Sequence, residues 1–276
     1  MTATPARPVS ARPVSAPPEP TRPVSATGGL LRRQGVLPWL ILAFAYLVFF
    51  MPTTEPLFRW LMPDLENTLF TRQSFLRLTG DHLMLVGVSS LISVAVGVSA
   101  GIFATRPVGA EFKPMISAIA AIGQTFPPPA VLAVMVPIAG FGFVPALVAL
   151  ALYGLLPVVQ NTIAGMQSVS PSALEAARGM GMSRTRILFR VELPLAMRVI
   201  IAGVRVSVIV NIGTATIAST VGANTLGTPI ISGLVVQNMA YIIQGAVLVG
   251  LMAIITDQLF ERLERRFAVG SSDEDG

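Results

Sequence analysis

Long apolar stretches separated by short polar segments make up the chain from about residue 36 onward. Six of these stretches approach the roughly 20 residues that a helix needs to cross the hydrocarbon core of a bilayer. A triple proline at 127–129 interrupts the third stretch, and residues 221–238 are expected to contain a short re-entrant or surface helix. The pattern predicts an all-α polytopic membrane protein with six transmembrane helices, at residues 36–51, 83–105, 115–139, 143–163, 197–220 and 239–260.

The composition supports the same class of protein. The chain of 276 residues is 53% hydrophobic and 12% charged, whereas soluble domains carry roughly a quarter charged residues. A net charge of +5 is compatible with nucleic-acid binding. However, the basic residues lie at the ends of apolar stretches rather than along one polar face, so no nucleic-acid partner is expected. The chain contains no cysteine, which excludes disulfide and thiolate chemistry.

The two ends of the chain differ from the rest. Residues 1–34 are rich in proline, arginine and serine, and the sequence ARPVS occurs at 6–10 and again at 11–15. Low complexity without apolar periodicity is typical of disorder, so a disordered tail is predicted there. No apolar stretch begins early enough for a signal peptide, and the tail is expected to be retained. Residues 267–276 are expected to form an acidic, flexible C-terminus.

The basic residues also predict the orientation. If both termini lie in the cytoplasm, only Arg59, Arg72 and Arg77 fall in segments on the other side of the membrane. An excess of arginine and lysine on the cytoplasmic side is the usual rule for membrane proteins. This orientation places the polar region between the fourth and fifth spans in the cytoplasm.

That polar region, residues 168–196, is called the polar segment below. Its sequence predicts two short helices joined by Gly179 and Gly181, which allow left-handed backbone and a sharp stop. Ser172 and a glutamate three residues later have the spacing of a capping box. A start at Ser170, with proline at the first helical position, is the alternative. Ser183 is expected to cap the second helix and Pro194 to end it.

The polar segment resembles the EAA loop of ABC-importer permeases. The resemblance lies in Glu175-Ala176-Ala177, then Gly181, then Val191, Leu193 and Pro194 at the spacing of that motif, with Val191 where the family usually has isoleucine. Three further stretches look like the osmoprotectant branch, which imports glycine betaine, carnitine and choline: GQTFPPPAVLAV at 123–134, LYGLLPVVQNT at 152–162 and NIGTATIASTVGANTLG at 211–227.

The resemblance covers residues 78–266 and implies a type I permease domain there, with the coupling loop at 164–194 and the first helix and an external loop at 35–77. It implies ABC ATPase subunits, a second identical or different permease subunit, an extracytoplasmic binding protein and membrane lipid as partners. The residues it implies at the ATPase contact are Glu175, Ala176, Ala177, Gly181, Leu193 and Pro194. No GxxxxGK[ST] phosphate loop occurs in the sequence, so ATP hydrolysis is expected on a separate chain. No catalytic residue, cofactor or metal is expected in this one.

Polar residues inside the spans are candidates for a translocation path. Arg205 is the one basic residue well inside a span, and intramembrane charges usually face protein or water. Hydrogen bonding between helices is an equally weighted alternative for the small polar residues, and a purely structural kink is an alternative for the region before the triple proline. The candidates are Gln124, Arg205, Ser207, Asn211 and Thr214.

Three other functions have some support in the sequence. The substrate of an ABC permease could instead be methionine or another amino acid. An ion-coupled secondary transporter would need intramembrane carboxylates and repeated halves, and Asp257 is the only acid inside a predicted span. A serine hydrolase is suggested by the GxSxG pattern at 97–101, but close helix packing at Gly97 and Gly101 explains that pattern better. His82 is expected at the membrane interface, paired with Asp81 or with water.

Overall fold

The computed structural model describes residues 35–267, and within that range all regular structure is helical. The tail predicted at 1–34, and all but the first residue of the predicted acidic C-terminus, lie outside the described residues. The helices are α1 Leu37–Phe50, α2 Glu55–Leu61, α3 Phe75–Ala104, α4 Lys113–Thr125, α5 Pro128–Ala139, α6 Phe143–Gln167, α7 Pro171–Gly179, α8 Arg184–Ile187, α9 Leu193–Thr214, α10 Gly227–Val235 and α11 Met239–Arg266.

The predicted membrane spans correspond to these helices. Five stretches are long and apolar enough to cross a membrane, and α4 with α5 forms a sixth if a bent pair counts as one span. The two halves of that pair meet at 93°, at the triple proline that the sequence marked. The all-α fold is therefore confirmed, and so is the short helix expected within 221–238, which is α10. The five unbroken stretches are Leu37–Leu61, Phe75–Ala104, Phe143–Gln167, Arg184–Thr214 and Met239–Arg266.

The helix break has a local cause. Phe126 is extended, with φ −82° and ψ 134°, as expected for a residue that precedes proline. A break inside a membrane leaves backbone carbonyls that need a partner in the protein or in cavity water. The Tyr153 hydroxyl donates to the Phe126 carbonyl, and Gln124 Nε2 donates to the Tyr153 carbonyl at 2.9 Å. These two bonds attach the break to α6.

Glycine contacts bring α3 and α9 close to α6. A Cβ at Gly97 would lie 2.7 Å from Val158 Cγ1, and one at Gly101 would lie 2.6 Å from Thr162 Cβ. On the other side of α6, a Cβ at Gly203 would lie 2.7 Å from the Pro157 carbonyl oxygen. Close packing of this kind drives helix association in lipid. The packing interpretation of Gly97 and Gly101 is confirmed, and the GxSxG pattern lies inside a helix.

A buried group of polar side chains, called the polar cluster below, connects the same three helices. Asn211 Nδ2 donates to Ser90 Oγ at 3.1 Å and to Ser89 Oγ at 3.4 Å. Ser93 Oγ donates to the Ala151 carbonyl at 2.7 Å. Its five members surround Gly154 of α6 or bond to those that do, and all are buried: Ser89, Ser90, Ser93, Ser207 and Asn211.

His82 is fully buried within the protein, so the expected pairing with Asp81 or with solvent water is wrong. Its Nδ1 accepts a hydrogen bond from the backbone N–H of Leu226 at 3.3 Å. Its Nε2 is buried and has no hydrogen-bond partner among the described residues. The turn before α10 folds over this part of α3, which sequence periodicity does not show. Asp81 instead lies opposite Arg77 at 3.8 Å, on the exposed face of α3.

We expect Gly101→Ala to lower the free energy of unfolding by about 1–3 kcal/mol, the usual cost of overpacking. The reason is that the new Cβ would also lie 3.2 Å from the Val159 carbonyl oxygen, a backbone atom that cannot rotate away. Gly87→Ala on the same helix is the matched control, because no heavy atom lies within 4 Å of that Cβ position. Denaturant-induced unfolding in detergent measures both variants. Equal stability of the two would contradict the close packing of α3 on α6.

Candidate functional site

The first helix of the polar segment starts at Ser170, which was the alternative start. Ser170 Oγ accepts from the Ala173 N–H at 3.3 Å, and Pro171 occupies the first helical position. The capping box at Ser172 is not formed, and its hydroxyl donates to Ser170 Oγ instead. Proline decides between the two starts, because its fixed φ and missing N–H suit the first turn of a helix.

Gly181 makes the turn that ends α7. Its φ is +75°, a conformation that glycine adopts without a steric cost. The Met182 N–H donates to the Ala177 carbonyl at 3.1 Å, and the Gly181 N–H donates to the Arg178 carbonyl at 2.9 Å. This pair of bonds is the Schellman motif. Gly179 is the last residue of α7 and has no positive φ, so only one of the two glycines takes the predicted conformation.

The second helix does not end at Pro194, and this prediction is wrong. Ser183 caps α8 as predicted, with Oγ accepting from the Arg186 N–H at 3.4 Å. The helix then passes through a π turn, Leu188–Glu192, into α9, so that Arg184–Thr214 is one helix of 31 residues. Pro194 lies in the first turn of α9, and the wider turn before it tolerates the missing donor. The second half of the polar segment, from Arg184 onward, is therefore a continuous extension of a membrane span.

An apolar cluster packs against the polar segment. Its buried members are Met166 of α6, Val169 in the turn between α6 and α7, and Ala196 and Ile200 of α9. Partly buried residues of α3, α7 and the π turn pack against them. On α7 itself Ala177 is 1% exposed, whereas Glu175 and Ala176 face outward. Gly181 and Pro194 are also exposed, and Leu193 is partly buried. Four of the six predicted contact residues are thus accessible to a partner, and the other two face the protein interior.

A basic cleft lies beside α7 and α8. Its volume is about 470 Å³, and three arginines, Arg106, Arg178 and Arg184, line it together with Glu192. Arg178 and Arg184 have exposed side chains and no ion-pair partner among residues 35–267. The Arg106–Glu192 ion pair, at 2.8 Å, closes one side of the cleft. An acidic surface is the partner that this arrangement fits.

Arg205 pairs with α11. Its Nε and Nη2 atoms both lie 2.6 Å from Asp257 Oδ1, and Nη1 lies 3.5 Å from Glu264. The sequence identified Arg205 and Asp257 separately as intramembrane charges. Their pairing was missed because 52 residues separate them, and no local pattern reports such a contact.

The other predicted path residues lie in three different places. Ser207 and Asn211 belong to the polar cluster and have no exposed surface. The bonds of Asn211 to α3 are helix-to-helix hydrogen bonds, which was the alternative for this stripe. Thr214 is partly buried at the end of α9, and Gln124 is exposed at the break between α4 and α5. Among the described residues, no group of three or more His, Cys, Asp or Glu side chains could hold a metal ion.

Comparison with known proteins gives consistent matches over this region. A family model described as binding-protein-dependent transport system inner membrane component matches residues 97–269. The chain is 41% identical over 203 residues to the osmoprotectant import permease protein OsmY of Salmonella typhimurium, covering 73% of this chain and 86% of that protein. It is 39% identical over 188 residues to the glycine betaine/carnitine/choline transport system permease protein OpuCB of Bacillus subtilis, covering 68% and 86%.

Solved structures share the fold. An inward-facing structure of the MetNI methionine ABC transporter matches with a TM-score of 0.63 and 22% identity, over 70% of this chain and 95% of that one. An amino acid ABC transporter crystallised with histidines matches with a TM-score of 0.59 and 22% identity, over 79% and 98%. At this identity the likeness concerns the arrangement of helices.

The capping geometry predicts different effects for two neighbouring serines. Ser170→Ala should destabilise α7 by about 1 kcal/mol, the typical value of an N-cap. Exchange of the α7 amide hydrogens should then be roughly fivefold faster. Ser172→Ala is the control, because its hydroxyl bonds to no backbone N–H of α7 in the described structure. A larger effect from Ser172 than from Ser170 would show that the capping box forms after all.

Proposed function

Because the chain belongs to the family of binding-protein-dependent transport system inner membrane components, we propose that it is the permease subunit of an ATP-driven importer of quaternary-amine osmoprotectants. Glycine betaine, carnitine and choline are the expected substrates. The observation that carries this proposal is the 35–41% identity to permeases named for these substrates, over about two thirds of the chain or more. Methionine permeases share the fold at 22% identity, which supports no choice of substrate.

The polar segment is the proposed contact with the ATPase. Glu175, Ala176 and Gly181 are exposed on one surface, and Met180 between them is 74% exposed. An exposed methionine at the tip of a turn suits insertion into an apolar groove. The basic cleft beside it suits acidic side chains of the same partner. Since α8 continues into α9, a push on this surface would reach the membrane span directly.

The translocation path is proposed to pass the break between α4 and α5. Gln124 and Thr125 are exposed there, and polar groups inside a membrane avoid lipid. Phe126 is also exposed, and Tyr153 is bonded to its carbonyl. A quaternary ammonium ion has no donor hydrogen and is attracted to aromatic faces, so these two rings provide weak contacts suited to release. Thr214 is a further candidate. Ser207 and Asn211 would reach substrate only if α9 separated from α3.

The remaining partners follow from the same proposal. Two permease subunits would enclose the path, and a binding protein outside the cell would select and deliver the substrate. Aromatic residues make up only 7% of the chain, which fits selection by that separate protein. Both termini would lie in the cytoplasm, on the same side as the polar segment and the ATPase.

The coupling role is tested with Gly181→Leu in a transporter assembled with its ATPase and binding protein. We expect normal insertion, loss of the co-purifying ATPase and at least tenfold slower uptake of labelled glycine betaine, because leucine is strained at positive φ. Unlabelled choline and carnitine should compete with uptake, and methionine should not.

Gly179→Leu distinguishes two possible causes of that loss, which are backbone strain and steric hindrance of the ATPase. Both glycines are exposed and neither Cβ position has a heavy atom within 4 Å, but only Gly181 has positive φ. Loss of uptake in both variants would indicate close approach of the ATPase rather than backbone strain. If Gly181→Leu imports at the unmodified rate with the ATPase bound, the polar segment is not the coupling element.

The orientation is tested with single cysteines, since the chain has none of its own. Arg186→Cys and Glu66→Cys both place the thiol at an exposed position. In intact cells an impermeant thiol reagent should label position 66 and spare position 186. After the membrane is permeabilised, both should react. Labelling of position 186 from outside would reverse the proposed topology.

A further inference from the structure

An ion pair ties the end of α3 to the start of α9. Arg106 Nη1 lies 2.8 Å from Glu192 Oε2, and the two side chains are 31% and 13% exposed. Arg106 follows the last turn of α3, and Glu192 is the last residue of the π turn. Neither residue belongs to the motif by which the polar segment is recognised. The pair is shielded enough for its geometry to matter, unlike exposed pairs.

The π turn directs Glu192 toward α3. A π turn holds more residues than an α turn, so the side chains that follow it point in directions that a regular helix would not give them. Ile187, just before the turn, is buried, and Leu193, just after it, is partly buried. Glu192 lies between these two inward-facing positions and is itself mostly buried. Such turns are rare and are frequently found at functional sites.

The ion pair adds direction to a contact that is otherwise apolar. Val98 and Ile102 of α3 pack against the same apolar cluster as Leu174 of α7 and Leu188 of the π turn. Apolar contacts are non-directional and tolerate sliding. The attraction between the Arg106 and Glu192 charges falls with distance, so a sliding movement that separates them costs free energy even though the contact is not aligned as a hydrogen bond.

We propose that Arg106 and Glu192 are a positioning pair that makes α3 follow the polar segment. A displacement imposed on α7 and α8 would then move α9, which continues the same helix, and α3 together with it. This inference rests on the proposed function, because it concerns the response to an ATPase.

The two partners are not equivalent. Glu192 is the only acidic side chain lining the basic cleft among the described residues, and three arginines line the same cleft. Removing the carboxylate leaves Arg106, Arg178 and Arg184 around one opening without a counter-charge. Removing Arg106 leaves Glu192 in a cleft that two other arginines still line. Loss of Glu192 is therefore the more disruptive change.

The test uses the complete transporter in proteoliposomes and measures substrate imported per ATP hydrolysed. Glu192→Gln should lower this ratio about tenfold and Arg106→Gln about threefold, within the range of coupling between contacting residues. The charge-swapped protein, Arg106→Glu with Glu192→Arg, should recover the ratio to within about threefold of the unmodified chain. A purely structural defect would lower import and ATP hydrolysis in proportion and leave the ratio unchanged.

Glu55→Gln is the matched control. It breaks the exposed Glu55–Arg59 pair, at 2.7 Å, which lies far along the chain from the polar segment. Its ratio should not change. An unchanged ratio in Glu192→Gln, or a charge-swapped protein as defective as Glu192→Gln, would overturn the inference while leaving the permease function intact. Failure of the unmodified chain to import glycine betaine would instead overturn the proposed function.

Discussion

The structure depends on the close approach of α3 and α9 to α6. In lipid there is no hydrophobic driving force between helices, so contact must come from packing and hydrogen bonding. Glycines provide both sides of the approach, with Gly97 and Gly101 on α3 and Gly203 on α9. At each glycine, atoms of α6 occupy the space that a Cβ atom would need. The rest of the fold is arranged around this three-helix unit.

The same close approach creates a demand for polar partners. At Gly154 a Cβ would lie 2.5 Å from Ser207 Oγ and 2.7 Å from Ser93 Oγ, so the missing side chain leaves room for hydroxyl groups from two neighbouring helices. Asn211 then bonds to α3 inside the resulting cluster. Away from this unit some buried polar side chains bond to the loops between helices. Gln244 of α11, for example, donates to the Thr68 carbonyl at 2.6 Å and accepts from the Phe70 N–H at 3.1 Å. Specific hydrogen bonds thus fix positions that apolar packing alone would leave free.

Features with a local cause could be predicted from the sequence. The length of the apolar stretches predicted the membrane spans, and the triple proline predicted the break in the third one. Gly181 predicted the turn after α7. The choice between Ser170 and Ser172 was open because both have capping geometry, and the fixed φ of Pro171 decided it. The end expected at Pro194 failed because a π turn absorbs the missing donor, and no residue pattern announces that turn.

Contacts between distant residues could not be predicted. His82 was expected to pair with Asp81 or with water because its position at a span boundary is all that a single sequence reports. Its burial depends on a turn more than 140 residues later in the chain. The partners of Arg205 and Arg106 are similarly remote. Because the sequence does not report contacts between distant residues, it also grouped path residues that lie apart in the structure. Ser207 and Asn211 lie inside the three-helix unit, and Gln124 lies at its edge.

The unbroken helix from Arg184 to Thr214 has a mechanical consequence. Its glycine-mediated contacts with α6, at Ala196 against Gly165 and at Gly203, are about 10 Å apart at 1.5 Å per residue. The part before Ala196 extends about 18 Å beyond them and is held at its side by the apolar cluster and by the Arg106–Glu192 pair. A sideways load near Arg184 therefore acts on the two contacts through a lever arm longer than the distance between them. Both contacts involve α6 backbone or Cβ atoms, which have no rotamers to yield, so the load passes into α6 with little loss.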